Sequence, residues 1–275
     1  CLILKNKNYL FVDGRYSLQA KNQSGKYFEI ITIPYKMPYQ VLKRKKLLIG
    51  FDSRLITNKT LSSFFIKSNC KFKSLKINLI DSIWKRRGEN SYKKFYALPN
   101  WSVGSHYKSK INKIVSYLRI KNADCIFISS SENCAWILNI RGSDVKYSPI
   151  PNSYLIIDKK KNIKFFCDLK KISSHLKKNF KNIEFLEIKL AEEILSKIKE
   201  KKFIIDKNTC SFYFENIILK NNYVLNLSDP IYNFKAIKTK REINNIKIAH
   251  KYDGVALTKY LFWIKKHFNK KKLLR

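Results

Sequence analysis

Ala135-Trp136-Ile137-Leu138-Asn139-Ile140-Arg141-Gly142-Ser143-Asp144 is the stretch from which the rest of the chain can be read. Its first half is apolar with helical spacing, and its second half has the composition of a turn. Ser129 and Glu132, just upstream, stand at capping-box spacing, which predicts a helix from Ser129 to Ile140. Cys134, Trp136, Ile137 and Ile140 share one apolar face of such a helix. Gly142 then permits a backbone turn that a residue with a Cβ would resist. Arg141 and Asp144 flank the turn and are placed to pair across it. By itself this is a helix stop, a feature that usually serves structure.

The chain has 275 residues, enough for two domains with a core each. Its hydrophobic fraction of 45% is ordinary for a soluble globular protein. No apolar run approaches the roughly 20 residues that span a bilayer, so no membrane partner is expected. The sequence starts at Cys1 inside a strand-like run, which predicts a fragment of a longer protein. The net charge of +37 invites a nucleic-acid reading. However, the lysines are dispersed along the whole chain among many Asn and Ile, the pattern of an AT-rich coding sequence. A dedicated binder concentrates Arg and aromatic residues on one element. No specific nucleic-acid partner is therefore expected, only weak, salt-sensitive attraction to polyanions. The cysteines at 1, 70, 125, 134, 167 and 210 form no C-x-x-C pair, and the histidines do not cluster with them. Zinc-site spacing is absent, and the cysteines are expected to be reduced core residues of a cytoplasmic protein.

Along the chain, Cys1–Leu4 and Tyr9–Val12 are predicted strands of a hairpin. Asp13-Gly14 turns into a helix running to about Gln23, and a strand follows at Phe28–Ile33. Leu47–Phe51 is expected to be a buried strand. Thr57–Lys67 is expected to be a helix with Leu61, Phe64 and Phe65 inward, and Ile80–Trp84 closes the unit. Lys85 to Ser105 is the best linker, carrying Arg86-Arg87-Gly88-Glu89-Asn90, Pro99 and Gly104. The alternation then resumes. Helices are predicted at Ile111–Leu118, Leu169–Phe180, Leu190–Ile198 and Cys210–Leu219. Strands are predicted at Cys125–Ile128, Ser153–Ile157, Ile163–Cys167, Phe185–Ile188, Phe203–Ile205 and Tyr223–Leu227. This is an α/β pattern, with sheets covered by helices. Ser228-Asp229-Pro230 marks a second boundary. Thr239 and Glu242 then open a long helix whose inner face runs through Ile246, Ala249, Asp253, Leu257, Leu261, Ile264 and Phe268, expected to be core.

Three stretches, in order, carry a resemblance: Phe11-Val12-Asp13-Gly14-Arg15-Tyr16-Ser17-Leu18-Gln19-Ala20, Asn139-Ile140-Arg141-Gly142-Ser143-Asp144-Val145 with Pro149, and Ala249-His250-Lys251-Tyr252-Asp253-Gly254-Val255-Ala256-Leu257. Together they resemble the Xaa-Pro aminopeptidases, the aminopeptidase P enzymes of the creatinase or pita-bread metallopeptidase group. The resemblance implies two consecutive creatinase N-terminal-type domains, at 1–104 and 105–232. The start of a truncated pita-bread catalytic domain would follow at 233–275. It further implies a hydrolase, a metallopeptidase that removes an N-terminal residue preceding proline, acting on short peptides as a cytoplasmic homodimer with two Mn²⁺. Ser17 departs from the family, where an aromatic residue is common.

In that family two Asp, one His and two Glu hold the metals, all downstream of the helix opening at Thr239. No Asp or Glu follows Asp253 in this sequence. No catalytic residue and no metal ligand is therefore assigned, no ion is expected on this fragment, and the fragment alone is expected to be inactive. Neither H-E-x-x-H nor G-x-S-x-G is present, and the glycines are scattered. His106 is expected to be a loop histidine. His250 and His267 are expected to be helix residues without a ligand role. Arg15 is the one candidate for substrate binding. The resemblance implies that it reaches toward the peptide, where a guanidinium suits a carboxylate or carbonyl. The competing reading pairs it with Asp13 or makes it part of a helix cap. Arg141 and Asp144 are expected to hold the turn against its neighbours. Two rival functions stay open: a non-catalytic creatinase-type binding or scaffold module, and a basic nucleic-acid binder.

Overall fold

Short polar breaks between apolar runs divide the chain into the alternating elements of a computed structural model that describes residues 1–85 and 93–268. The expected linker's Arg86-Arg87-Gly88-Glu89-Asn90 lies outside the described residues. Contacts divide the chain into two compact units: Cys1–Glu89 with Asp206–Asn221, and Asn90–Ile205 with Asn222–Arg275.

In the first unit, β1 (Leu2–Ile3) and β2 (Asn8–Asp13) pair antiparallel, Leu2 facing Tyr9, as the hairpin pattern predicts. A 3-10 turn over Gly14–Tyr16 and α1 (Ser17–Ser24) carry the chain over to β3 (Glu29–Ile33), which lies parallel to β2. A parallel pair needs a crossover of this kind. α2 (Pro38–Leu42) follows, then β4 (Leu48–Phe51), α3 (Asn58–Phe65), β5 (Lys71–Ser74) and α4 (Leu79–Ile83). β4 and β5 form a second parallel pair. Leu2, Tyr9, Ile31 and Leu42 are the buried centre. β4 is not the buried strand expected: Leu48 is 66% exposed, because the strand has a hydrogen-bonded neighbour on one side only. Leu61, Phe64 and Phe65 are half-buried. β5 has the composition Lys-Phe-Lys-Ser, which gives no strand signal.

The second unit opens with β6 (Tyr96–Ala97), then α5 (Tyr107–Ile120), β7 (Cys125–Ile128), α6 (Ser131–Leu138) and β8 (Ile140–Arg141). β9 (Tyr154–Asp158), β10 (Ile163–Cys167), α7 (Ser174–Asn179), β11 (Ile183–Glu187), α8 (Ala191–Lys197) and β12 (Lys202–Ile205) follow. The chain then returns to the first unit for α9 (Phe212–Asn221). There Phe212 N donates to Ile56 O and Tyr213 N to Ser53 O, and the Arg54 guanidinium lies 3.8 Å from the centre of the Tyr213 ring. Back in the second unit come β13 (Tyr223–Asn226), α10 (Pro230–Ala236) and α11 (Lys240–His267). Residues 206–221, which the sequence pattern groups with the second domain, thus pack with the first unit.

A six-stranded mixed sheet, in the order β11-β10-β9-β7-β12-β13, is the frame of the second unit. β9 runs antiparallel to both β7 and β10, and the other neighbours are parallel. The near-continuous apolar runs of β7 and β9 suit strands covered on both faces. Ile114, Leu118, Ile137, Leu138, Ile140, Leu155 and Phe165 are fully buried in this core.

Two of the predicted helices move. The stretch expected to be one helix over Leu169–Phe180 breaks at Ile172, which is extended and buried, and Ser173 recaps the chain for α7. The helix expected over Ser129–Ile140 starts two residues later, behind Ser130, and stops at Leu138. α11 has the capping box predicted, with Thr239 Oγ1 and the Glu242 carboxylate satisfying each other's backbone N–H groups. Its predicted inner face is not core: no residue of the helix is buried, and Leu257, Leu261 and Phe268 are all more than half exposed. Periodicity reports amphipathicity, and burial needs a facing surface that the described residues do not supply. No helix among them is long and apolar enough to cross a membrane.

Candidate functional site

Arg15 sits where β2 ends. Asp13 caps the 3-10 turn, accepting from Arg15 N and Arg15 Nε at 2.9 Å each, with Arg15 Nη2 3.5 Å from the other carboxylate oxygen. Ser17 Oγ donates back to Gly14 O. Hydrogen bonds from Arg15 hold the Asp13 carboxyl below its ordinary range, and Asp13 in turn raises Arg15. The Arg15 side chain is 80% exposed. A pair this open to water exchanges readily with another carboxylate or carbonyl. The competing reading, a pairing with Asp13 at a helix cap, is thus present, and the Arg15 side chain remains largely exposed.

In the turn of the opening stretch, in the second unit, Arg141 and Asp144 hold the chain against its neighbours as expected, though not by pairing with each other. Asn139, not Gly142, takes the left-handed conformation that ends α6, at φ 56°. Asparagine tolerates this region better than most residues. Gly142 is needed for close approach, since a Cβ there would lie 2.9 Å from the Phe95 ring and from Pro151 Cα. Arg141 and Asp144 do not pair. Arg141 Nη1 donates to the carbonyls of Ala135 and Ile140, both at 3.0 Å, and so satisfies the end of α6. Asp144 accepts from Lys171 Nζ at 2.5 Å and from Asn152 N at 2.7 Å. The Lys171–Asp144 pair is 9% exposed on both sides.

Lys110, which the sequence reading missed, lies beneath this turn. It is buried on the inner face of α5, and its Nζ donates to Trp136 O at 2.8 Å and Asn139 Oδ1 at 2.6 Å. The ammonium stands 3.9 Å from the centre of the Trp136 ring. Burial pulls its pKa down to about 8, Arg141 pushes the same way, and Glu242 opposes both. The signal was present: Lys110 falls four residues before Ile114 and eight before Leu118, on the apolar face. Asn133 was missed too. Its side chain donates to Asp229 and accepts from Lys235, tying α6 to α10 at the Ser228-Asp229-Pro230 boundary.

The buried thiols offer no nucleophile. Desolvation raises Cys125 and Cys167 to about 12 and drives Cys134 and Cys210 up as well. A thiol held protonated is unreactive. His106 caps α5, its ring nitrogen accepting from Lys108 N. His267 contacts the Trp263 carbonyl within its own helix. Among the described residues, no three His, Cys, Asp or Glu side chains come close enough together to hold a metal ion.

Residues 86–242, more than half of the chain, match the model of the creatinase/prolidase N-terminal domain family. A probable Xaa-Pro aminopeptidase P of Laccaria bicolor is 29% identical over 98% of this chain and 44% of its own length. The Xaa-Pro aminopeptidase ApepP of Drosophila melanogaster is 29% identical over 95% of this chain and 45% of its own. Among solved structures, the X-prolyl aminopeptidase of Caenorhabditis elegans, described as a cytosolic enzyme with a di-nuclear active site, superposes with a TM-score of 0.85. It is 23% identical, over 96% of this chain and 46% of that one, and so bears on the fold. The chain thus spans a little under half the length of these relatives. With the family model matched across the six-stranded sheet and the turn that Lys110 and Arg141 hold, the chain belongs to the creatinase/prolidase N-terminal domain family.

Proposed function

We propose that this chain is the N-terminal part of an Xaa-Pro aminopeptidase, a metal-dependent hydrolase that cleaves the bond between an N-terminal residue and a following proline. The observation that carries it is the similarity to named Xaa-Pro aminopeptidases over nearly the whole chain. In this reading 1–104 and 105–232 are the two creatinase-like domains, except that 206–221 belongs with the first unit, and 233–275 begins the catalytic domain. The two domains wall the cleft and restrict it to short peptides. Arg15 contacts the substrate, exchanging Asp13 for a peptide carbonyl or carboxylate. Its exposure and its fork of donors support that role. The metal pair, two Mn²⁺ in this reading, is held by residues of the remaining half and supplies an activated water there. The whole protein is a cytoplasmic homodimer.

The test compares two proteins, the 275-residue chain and a longer form carrying the half that its relatives have in addition, each with Mn²⁺ and an Xaa-Pro-Pro peptide. Release of the first residue by the longer form alone is the expected result. Metal-dependent cleavage by the 275 residues would overturn the assignment. A longer form that folds and binds metal yet leaves the peptide intact would favour the scaffold module. In the active form, Arg15→Ala is expected to raise KM more than it lowers kcat, and sedimentation should show a dimer.

A further inference from the structure

A cavity of about 400 Å³ in the second unit is lined by Lys110, Arg141, Lys235, Lys238, Trp136 and Glu242, among others. Four of these are cations and one is an acid. The acid is committed: Glu242 Oε2 accepts from Thr239 N at 2.8 Å and lies 2.9 Å from Thr239 Oγ1, closing the cap of α11. The cations are not equally committed. Arg141 uses Nη1 alone for the carbonyls of Ala135 and Ile140, so Nε and Nη2 have no hydrogen-bond partner among the described residues. Lys110 is fixed between Trp136 O and Asn139 Oδ1. Burial lowers Arg141, and the proximity of Arg141 lowers Lys110, so the two like charges share a poorly solvated space. Such an arrangement is costly until an anion enters it.

We propose that this cavity is a binding site for a small oxyanion, a phosphate or a carboxylate. Two free guanidinium nitrogens form the fork that matches either group, and Lys110, Lys235 and Lys238 supply surrounding positive charge. The volume suits a small molecule bearing one such group rather than a polymer. The site lies within one unit and stands whether or not the chain belongs to a peptidase.

The experiment is calorimetric titration of the 275-residue chain with inorganic phosphate and, separately, with succinate. Ionic strength is held constant with chloride, so that the general attraction of a +37 protein is screened equally in every cell. One saturable site with a submillimolar Kd is expected for at least one of the two anions, and the anion that saturates identifies the source. Arg141→Lys keeps the charge but loses the fork, and is expected to weaken binding at least tenfold. Lys238→Met, at an exposed position on the rim, is expected to weaken it several-fold even if the Arg141 variant fails to fold. Lys76→Met, exposed in the first unit, should leave it unchanged. Non-saturable heats with both anions, or equal losses in the Lys76 and Lys238 variants, would overturn the proposal.

Discussion

Asn139 does three things with one side chain and one backbone angle: it ends α6 in the left-handed region, accepts from Lys110 and donates to Ser105 O. Asn139→Gly keeps the angle and loses the amide, and is expected to cost about 1–3 kcal/mol because Lys110 is left short of an acceptor. Asn139→Ala should cost about 1 kcal/mol more, the added strain of a Cβ at positive φ. Urea unfolding of the two variants checks the order. Lys110 has a folded-state pKa of about 8, well below its ordinary value. Below pH 8 it is charged in both folded and unfolded chains, and the cost of burying the charge is fully present. Above pH 8 the folded form loses its proton while the unfolded form keeps it, so stability rises toward the ordinary lysine range. The stability of the wild type relative to Lys110→Met is therefore expected to climb between about pH 8 and pH 10. A flat difference would show a solvated ammonium. Asp144→Ala removes the nearer of two carboxylates from the buried Lys171, leaving Asp168 at 3.9 Å, and is expected to cost on the order of 3 kcal/mol. Sequence spacing put Asp144 beside Arg141, three residues away. Its partner, Lys171, lies 27 positions on and is reached only once the chain has folded.

Elements whose pattern was strong and local were legible. Cys125–Ile128 and Ile163–Cys167 form strands with the predicted bounds, and Thr239 with Glu242 capped α11 as their spacing demanded. Elements set by distant contacts were not. β5 is polar in composition and forms because β4 pairs with it, and the break at Ile172 follows from Lys171 turning inward to Asp144. The cap of α11 also depends on Gly104. A Cβ at that position would fall on the Thr239 hydroxyl and 2.6 Å from Glu242 Oε2. Thr239→Ala is expected to cost about 1 kcal/mol. Gly104→Ala displaces the same cap, so the double variant should be less destabilised than the sum of the two. Thermal unfolding in a double-mutant cycle reads this coupling, and strict additivity would mean that the glycine and the cap act independently.

For the molecule as a whole, α/β class, the resemblance and the charge were open to reading from composition and three short motifs. The membership of the two units was not, since helix periodicity says nothing about which sheet a helix covers. The exposed face of α11 shows the same limit. Dispersed lysines predict retention on a polyanion resin that fades by roughly 200 mM salt, without sequence preference. Retention persisting well above that salt, for one nucleic acid over others, would revive a specific binder.

The return of α9 to the first unit has a consequence for biogenesis. On the ribosome, the chain must pass from Glu89 to Asp206 before the last piece of that unit exists. At roughly 5–20 residues per second, the nascent N-terminal lobe waits on the order of ten seconds with Ile56 O, Ser53 O and the Phe51 ring still lacking their partners. A chain arrested near residue 150 should therefore leave its first 85 residues open to protease and to holdase chaperones. One arrested well beyond Asn221 should not.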